Sequence, residues 1–418
     1  MEQIAKPHCG ARLDRLPDCR WHSSMFAMVA FGLLVCWSNA VGGLILAQLK
    51  ELGWTDNSTT ATFSAITTAG MFLGALGGGI IGDKIGRKNA FILYEAIHII
   101  AMVIGAFSPN MSFLIACRFV MGVGLGALLV TLFAGFTEYM PGRNRGTWSS
   151  RVSFIGNWSY PLCSLIAMVL TPLISAEWNW RVQLLIPAAL SLIATVIAWR
   201  SFPESPRWLE SRGRYAEAEE IMRAIEGRVA RQTGKSLPPV VIDDDGKPPS
   251  AVPYSALLTG ALLKRVILGS FVLIAMNVVQ YTLINWLPTI FMTQGINLKD
   301  SIVLNTMSMF GAPFGIFIAM LVMDKIPRKT MGVGLLVLIA ALGYIYSLQT
   351  SMLLITLIGF FLITFVYMYV CYASAVYVPE IWPTEAKLRG SGLANAVGRI
   401  SGIAAPYAVA VLLNGYGV

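Results

Sequence analysis

The chain has 418 residues, 56% hydrophobic and 13% charged, with a net charge of +9 and a mean hydropathy of +0.66. So apolar a chain of this length excludes a soluble domain, and a β-barrel would show short alternating strands instead of long apolar runs. What remains is a bundle of membrane-spanning helices.

A spanning helix needs about 20 mostly apolar residues. Eleven such stretches are centred near Leu33, Ala75, Ile100, Leu125, Leu165, Leu190, Ala275, Phe314, Val337, Phe361 and Ala404. Ahead of them, residues 1–24 read as a polar cytoplasmic segment, in which residues 10–22 interleave basic and apolar side chains as a helix lying on the membrane surface does. Residues 25–200 hold six helices, 201–265 form a charged linker, and 266–418 hold five more. The linker is helix-forming and amphipathic over 208–230. It turns Pro-rich, with an Asp243-Asp244-Asp245 run, over 237–253, the composition of a mobile connection. The first apolar run begins near Met25, lies behind a polar tail and is long enough to span, so it does not read as a cleaved signal.

Placing the N-terminus inside puts 26 of the 31 Lys and Arg in cytoplasmic segments, leaving Lys50, Arg181 and Lys299 outside and Arg118 and Arg399 within spans. The positive charge is therefore topological. A nucleic-acid surface would need it on one exposed face. The six cysteines follow no disulfide framework, and His8, Cys9, Cys19 and His22 match no common zinc spacing. With no nucleophile-base constellation, phosphate loop or metal set, the sequence calls for neither an enzyme nor a cofactor.

The chain repeats itself. Asp83-Lys84-Ile85-Gly86-Arg87-Lys88 returns as Asp324-Lys325-Ile326-Pro327-Arg328-Lys329, 241 positions later. Glu138, Pro141 and Arg145 return as Glu380, Pro383 and Lys387, and Gly156-Asn157 as Gly398-Arg399, both at an offset of 242. Each hexapeptide is a charged turn between two spans on one face of the membrane. The expectation is an all-α membrane protein of two pseudo-symmetric six-helix bundles, whose repeat calls for a twelfth helix beyond Val418, with a ligand site near the midplane between the halves.

The turn Gly79 to Lys88, Arg118-Phe119 followed by Gly122, Gly124 and Gly126, the Glu138 to Arg145 spacing and Pro203-Glu204-Ser205-Pro206-Arg207 together resemble the major facilitator superfamily, and within it the sugar porter and organic ion branches. Arg12-Leu13-Asp14-Arg15-Leu16-Pro17 and Trp286-Leu287-Pro288-Thr289 resemble bacterial members loosely called metabolite or aromatic-acid transporters. The resemblance implies alternating access across the inner membrane.

Asp83, Arg87, Lys88, Glu138 and Arg145, with Asp324, Arg328, Glu380, Lys387 and Arg389, have the types needed for two charge networks that hold a cytoplasmic gate. Ion pairs at a membrane edge are weak enough to break and re-form. The second set, with Pro327 in place of Gly86 and Arg389 two positions later, is expected to be looser. Arg399 within the last span costs about 2.5–3.5 kcal/mol on insertion scales. Either a substrate carboxylate or an acid on a neighbouring helix must offset it. The resemblance implies the former, because anion carriers of the organic ion branch have an Arg there.

Asn157 is the repeat mate of Arg399, and Trp158 adjoins it. Asn277, Gln280, Tyr281 and Asn285 fall at i, i+3, i+4 and i+8, one face of a helix. Tyr369 and Tyr372 are candidates for an aromatic wall. Proton coupling in sugar porters usually involves an Asp in helix 1 near the Arg that Arg118 resembles, but here helix 1 reads Trp37-Ser38-Asn39-Ala40. Glu95 and His98, at i and i+3, are the alternative proton carriers. The expected partners are a small organic anion, protons and the bilayer, with the chain acting as a monomer. A sugar or polyol porter is the competing reading, and a non-transporting receptor a third.

Overall fold

The structure is a computed structural model. It describes residues 7–35, 37, 40–141, 145–234, 236–240, 253–323, 325–349, 351–383 and 386–416. The tail contains α1 (Cys9–Asp14). The first half contains α2 (Arg20–Val35), α3 (Gly42–Glu51), α4 (Asn57–Ile85), α5 (Arg87–Ala106), α6 (Met111–Tyr139), α7 (Arg145–Asn157), α8 (Ser159–Leu170) and α9 (Ala176–Ser201). The linker holds α10 (Pro206–Ser211), α11 (Tyr215–Thr233) and α12 (Tyr254–Leu257). The second half contains α13 (Gly260–Thr293), α14 (Leu298–Met309), α15 (Gly311–Val322), α16 (Arg328–Ser347), α17 (Met352–Cys371), a π-turn over Tyr372–Tyr377, α18 (Val378–Glu380) and α19 (Lys387–Tyr416). The described residues form no strand.

Ten helical segments among the described residues are long and apolar enough to cross a membrane, against eleven expected. The difference lies in the first span, where the described helices are α2 and α3, of 16 and 10 residues, and the described residues 37, 40 and 41 between them are not helical. Two further spans bend at a single residue: α7 meets α8 at Trp158, and α14 meets α15 at Phe310. Starts are fixed by side-chain caps. Asp56 accepts from the Thr59 amide at 2.7 Å, Asn110 from Phe113 at 2.9 Å and Asn297 from Asp300 at 2.9 Å, each satisfying a donor that the first turn leaves open.

Between spanning helices lipid offers no hydrophobic drive, so close packing must supply the cohesion. On α4, Gly70 and Gly74 lie directly against the α6 backbone, where a Cβ at Gly74 would overlap the Val123 carbonyl. Gly122 and Gly126 reciprocate from α6. The repeat carries the same device at an offset of 241, with Gly311 and Gly315 of α15 set against Phe360 and Thr364 of α17. Each half has its own buried cluster, one built around Leu44, Met102 and Trp180 and the other around Leu273, Ile316 and Tyr367.

The halves meet mainly on the face opposite the hexapeptides. There Asn57 donates to Asn414 at 2.7 Å, Asn305 to Ser164 at 3.1 Å, and Gly43 of α3 sits on the backbone of Ile284 and Asn285 in α13. Among the described residues, no ion pair joins the two bundles.

The tail departs from the expectation of a membrane-surface helix. Leu13 and Leu16 are fully buried in a cluster with Met222, Ile225 and Val229 of α11. Arg12 pairs with Glu226 at 2.7 Å and also with Glu219, Arg15 pairs with Glu226 at 2.7 Å, and Arg207 with Asp14 at 3.0 Å. The amphipathic stripes of tail and linker cover each other, so the apolar face that was read as lipid-seeking finds a protein partner. The run Asp243 to Asp245 lies outside the described residues.

Candidate functional site

Between the halves lies a cavity of about 280 Å³. Arg399 stands in its wall, with Asn157 from α7 and Asn277, Gln280 and Tyr281 from α13. Five of the nine residues expected to contact substrate thus line one space. Sequence reading missed Ser153, Tyr160 and Asn395, which also line it. Their signal was available: Ser153, Asn157 and Tyr160 follow one helical face, and Asn395 precedes Arg399 by one turn. The rest of the wall includes Leu33, Met71, Leu125, Leu129, Phe133 and Met276.

The amides are anchored by their own helices. Asn157 donates to Ser153 O at 2.8 Å, Asn277 to Leu273 O at 2.7 Å and Asn395 to Ser391 O at 2.9 Å. An amide has a second N–H and a carbonyl oxygen, so each side chain keeps capacity for a ligand. No described acid lines the cavity. The partner acid considered for Arg399 is therefore absent from the described wall.

Four expected contacts lie elsewhere. Trp158 occupies the α7–α8 bend and packs edge-on against Phe310 at the α14–α15 bend, ring centroids 6.2 Å apart, so it joins the two bends rather than facing the cavity. Asn285 lies beside Gly42 and Arg118, one helical turn beyond Tyr281. Tyr369 and Tyr372 lie off the cavity wall: Tyr369 donates to Val272 O at 3.3 Å, bracing α17 against α13, and Tyr372 donates to Arg328 O at 2.9 Å, bracing the π-turn against α16. Their hydroxyls are committed to backbone, and neither residue lines the cavity.

Glu95 and His98 are fully buried on α5, with His98 Nδ1 3.8 Å from Glu95 Oε2. Neither Glu95 oxygen has a hydrogen-bond partner. His98 lies against Gly124 of α6. Arg118, also buried, donates to Thr67 Oγ1 at 3.3 Å and has its guanidinium 4.8 Å from the Phe63 ring centroid. Ser38 and Asn39, of the stretch where an acid was sought, lie outside the described residues.

The pairs seen among the described residues of each charge network stay within one bundle. Arg87 pairs with Asp83 at 2.6 Å and Glu138 at 2.9 Å. Glu138 also accepts from Ser205, and Glu204 from the Arg87 amide at 2.8 Å. Gly86, at φ +96°, makes this turn possible, since a side chain there would strike the Glu204 carboxylate. In the second half Arg328 holds Glu380 through two contacts, at 2.9 and 3.0 Å. That pair is bidentate, because both nitrogens of the fork find an oxygen. Asp324 lies outside the described residues, as do the side chains of Arg145 and Lys387. Arg389 sits in the first turn of α19. Lys88 makes no ion pair within the network and lines a separate pocket.

Two bundles related by a repeat, closing a polar cavity near their shared axis, define a membrane transporter of the two-domain kind. The profile of the Major Facilitator Superfamily matches residues 20–406, and the chain belongs to that family. It is 92% identical over 418 residues to YdjK of Escherichia coli (strain K12), a protein named for metabolite transport, covering 100% of this chain and 91% of that one. It is 25% identical over 400 residues to the niacin transporter NiaP of Acinetobacter baylyi, covering 96% of this chain and 89% of that one. An inward open structure of the xylose transporter XylE from E. coli superposes with a TM-score of 0.71 at 17% identity, over 94% of this chain and 91% of that chain. At that identity the likeness concerns the fold. The chain is a multi-pass membrane transporter of metabolites and not an enzyme.

Proposed function

We propose that the chain is a secondary carrier moving a small organic anion, an aromatic or hydroxy-monocarboxylate, across the bacterial inner membrane by alternating access with accompanying protons. The observation that carries this reading is Arg399, a cation in a membrane-embedded wall that has no described acid. A carboxylate would offset the cost of that charge and match its planar fork. One cation suits a monoanion. The apolar side chains of the wall suit a ring or short alkyl body, and the amides suit its remaining polar groups. The relative named for niacin, a small aromatic acid, supports this class.

The distribution of Lys and Arg supports a cytoplasmic N-terminus and hexapeptide face. The cavity then opens inward, since contacts between the halves gather on the other side. An anion entering against the membrane potential needs about 2.3 kcal/mol per charge per 100 mV. Glu95, buried with neither carboxylate oxygen hydrogen-bonded, and His98 beside it are the groups proposed to carry the compensating proton, together with Arg118 of α6. The two charge networks brace their own bundles in this state and re-partner across the gate when the inner face closes.

Arg399→Ala should lower carboxylate uptake in proteoliposomes about 30-fold or more at unchanged expression, the scale for truncating a buried charge partner. Arg399→Lys should retain part of it, lacking the bidentate fork. Unchanged uptake in the alanine variant would refute the anion reading. A sugar or polyol is the second reading, favoured by the amide-rich wall; stabilisation by hexoses alone in a thermal-shift screen would establish it.

A further inference from the structure

A second pocket, of about 230 Å³, lies where the first bundle meets the linker. Lys88 from the first turn of α5, Arg200 from the last turn of α9 and Arg228 from α11 line it, over a floor of Trp21, Phe202 and Ile225. No acid lines it, and none of the three cations enters an ion pair among the described residues. Glu204, one residue past Pro203 in the wall, spends its carboxylate on the backbone amides of Arg87, Lys88 and Ser205. Three like charges held in one concavity repel, so the arrangement suits an anion that carries more than one acceptor oxygen.

We infer that this pocket binds the phosphate headgroup of an anionic phospholipid. Its position favours a lipid over a soluble phosphate. Arg200 ends a spanning helix whose preceding turns expose Leu192, Ile193, Val196, Ile197 and Trp199, an apolar track on which acyl chains can lie while the phosphate reaches Arg200. Basic pockets at the ends of spanning helices take anionic headgroups in this way. Because one wall is α11, the lipid would bridge the linker to α5 and α9, tying the linker's position to the composition of the leaflet.

The test uses the full chain, delipidated in detergent, with phosphatidylglycerol and phosphatidylcholine followed by native mass spectrometry. Phosphatidylglycerol should be retained by the wild type, and about tenfold more weakly by Arg200→Gln/Arg228→Gln. Arg223→Gln, which removes an exposed cation paired with Glu219, should bind as the wild type does. A thermal midpoint matched between variants confirms that folding is intact; if the double variant is unstable, Arg228→Gln alone supplies the comparison. Equal retention of phosphatidylcholine, or undiminished phosphatidylglycerol binding in the variants, overturns the proposal. Displacement of the lipid by millimolar inorganic phosphate, but not by chloride at equal ionic strength, assigns the site to a soluble phosphoryl group and overturns the lipid assignment.

Discussion

At the scale of single residues, the polar groups inside the spans divide by what satisfies them. Asn157, Asn277 and Asn395 each return one N–H to their own helix, which fixes their rotamers and presents the remainder of the amide to the cavity. Glu95 has no such anchor. Glu95→Gln should therefore flatten the pH dependence of uptake while leaving substrate exchange under equilibrium conditions within about threefold of wild type; counterflow assays at several pH values separate the two. A pH profile identical to that of the wild type would take the proton away from this residue. Arg399 and Asn157 were legible as a pair because the repeat offset joins them. Tyr369 and Tyr372 lie off the cavity wall, which aromatic spacing does not reveal because it is silent on where a hydroxyl finds its acceptor. Asn285 shares the helical face of Tyr281 but lies about one turn beyond the cavity lining.

At the scale of elements, two devices organise the chain. The glycine seam between α4 and α6 brings backbone onto backbone, so Gly74→Val must push the helices apart. Such overpacking costs about 1–3 kcal/mol or more, and the expected outcome is a lowered thermal midpoint and reduced monodisperse yield, read by fluorescence-detected size exclusion. Its counterpart Gly315→Val should do the same in the second half. The glycines were visible in the sequence, but their pairing across the seam depends on helix rotation, which the letters do not state.

The tail and linker form the second device. Cys9 is fully buried and its thiol is pushed up to about 12, by burial first and then by Glu210. In a variant retaining only that cysteine, maleimide labelling at neutral pH should be slow, and Glu226→Gln should accelerate it about tenfold by removing the partner of Arg12 and Arg15. Burial pulls the Glu226 carboxyl upward, but Arg12 and Arg15 outweigh it and hold it below the usual carboxylate range. A depressed folded pKa contributes stability above the ordinary value near 4.3 and loses it as pH falls through the depressed one. Amide exchange in residues 9–16, corrected for its intrinsic pH dependence, should therefore stay slow at neutral pH and accelerate only below about pH 4. The helical halves of this clasp were readable as amphipathic stretches. Their mutual burial was not, because one amphipathic stripe looks the same whether lipid or protein covers it.

At the scale of the whole molecule, the bundles touch on one face and part on the other. Asn57 and Asn414, joined at 2.7 Å, mark the closed side. Cysteines at both positions should cross-link readily and abolish net uptake, with recovery on reduction; uptake that persists at full cross-linking would show that this side need not open. The two-bundle architecture was legible from the doubled hexapeptide alone. The bends at Trp158 and Phe310 each have a local cause in the sequence, since Pro161 and Pro313 stand three residues later and cannot donate to the carbonyls of Asn157 and Met309.

α4 links the two faces of the first bundle. It is bound along its length to α6 by the glycine seam and pinned at its far end to α19 through Asn57. A 29-residue helix is about 43 Å long, so it acts as a lever with its pivot at one tip. A tilt of roughly 10° about that tip swings the hexapeptide end through about 7 Å. Small rearrangements among amides on the closed side are thereby amplified into an aperture wide enough for a small solute on the other.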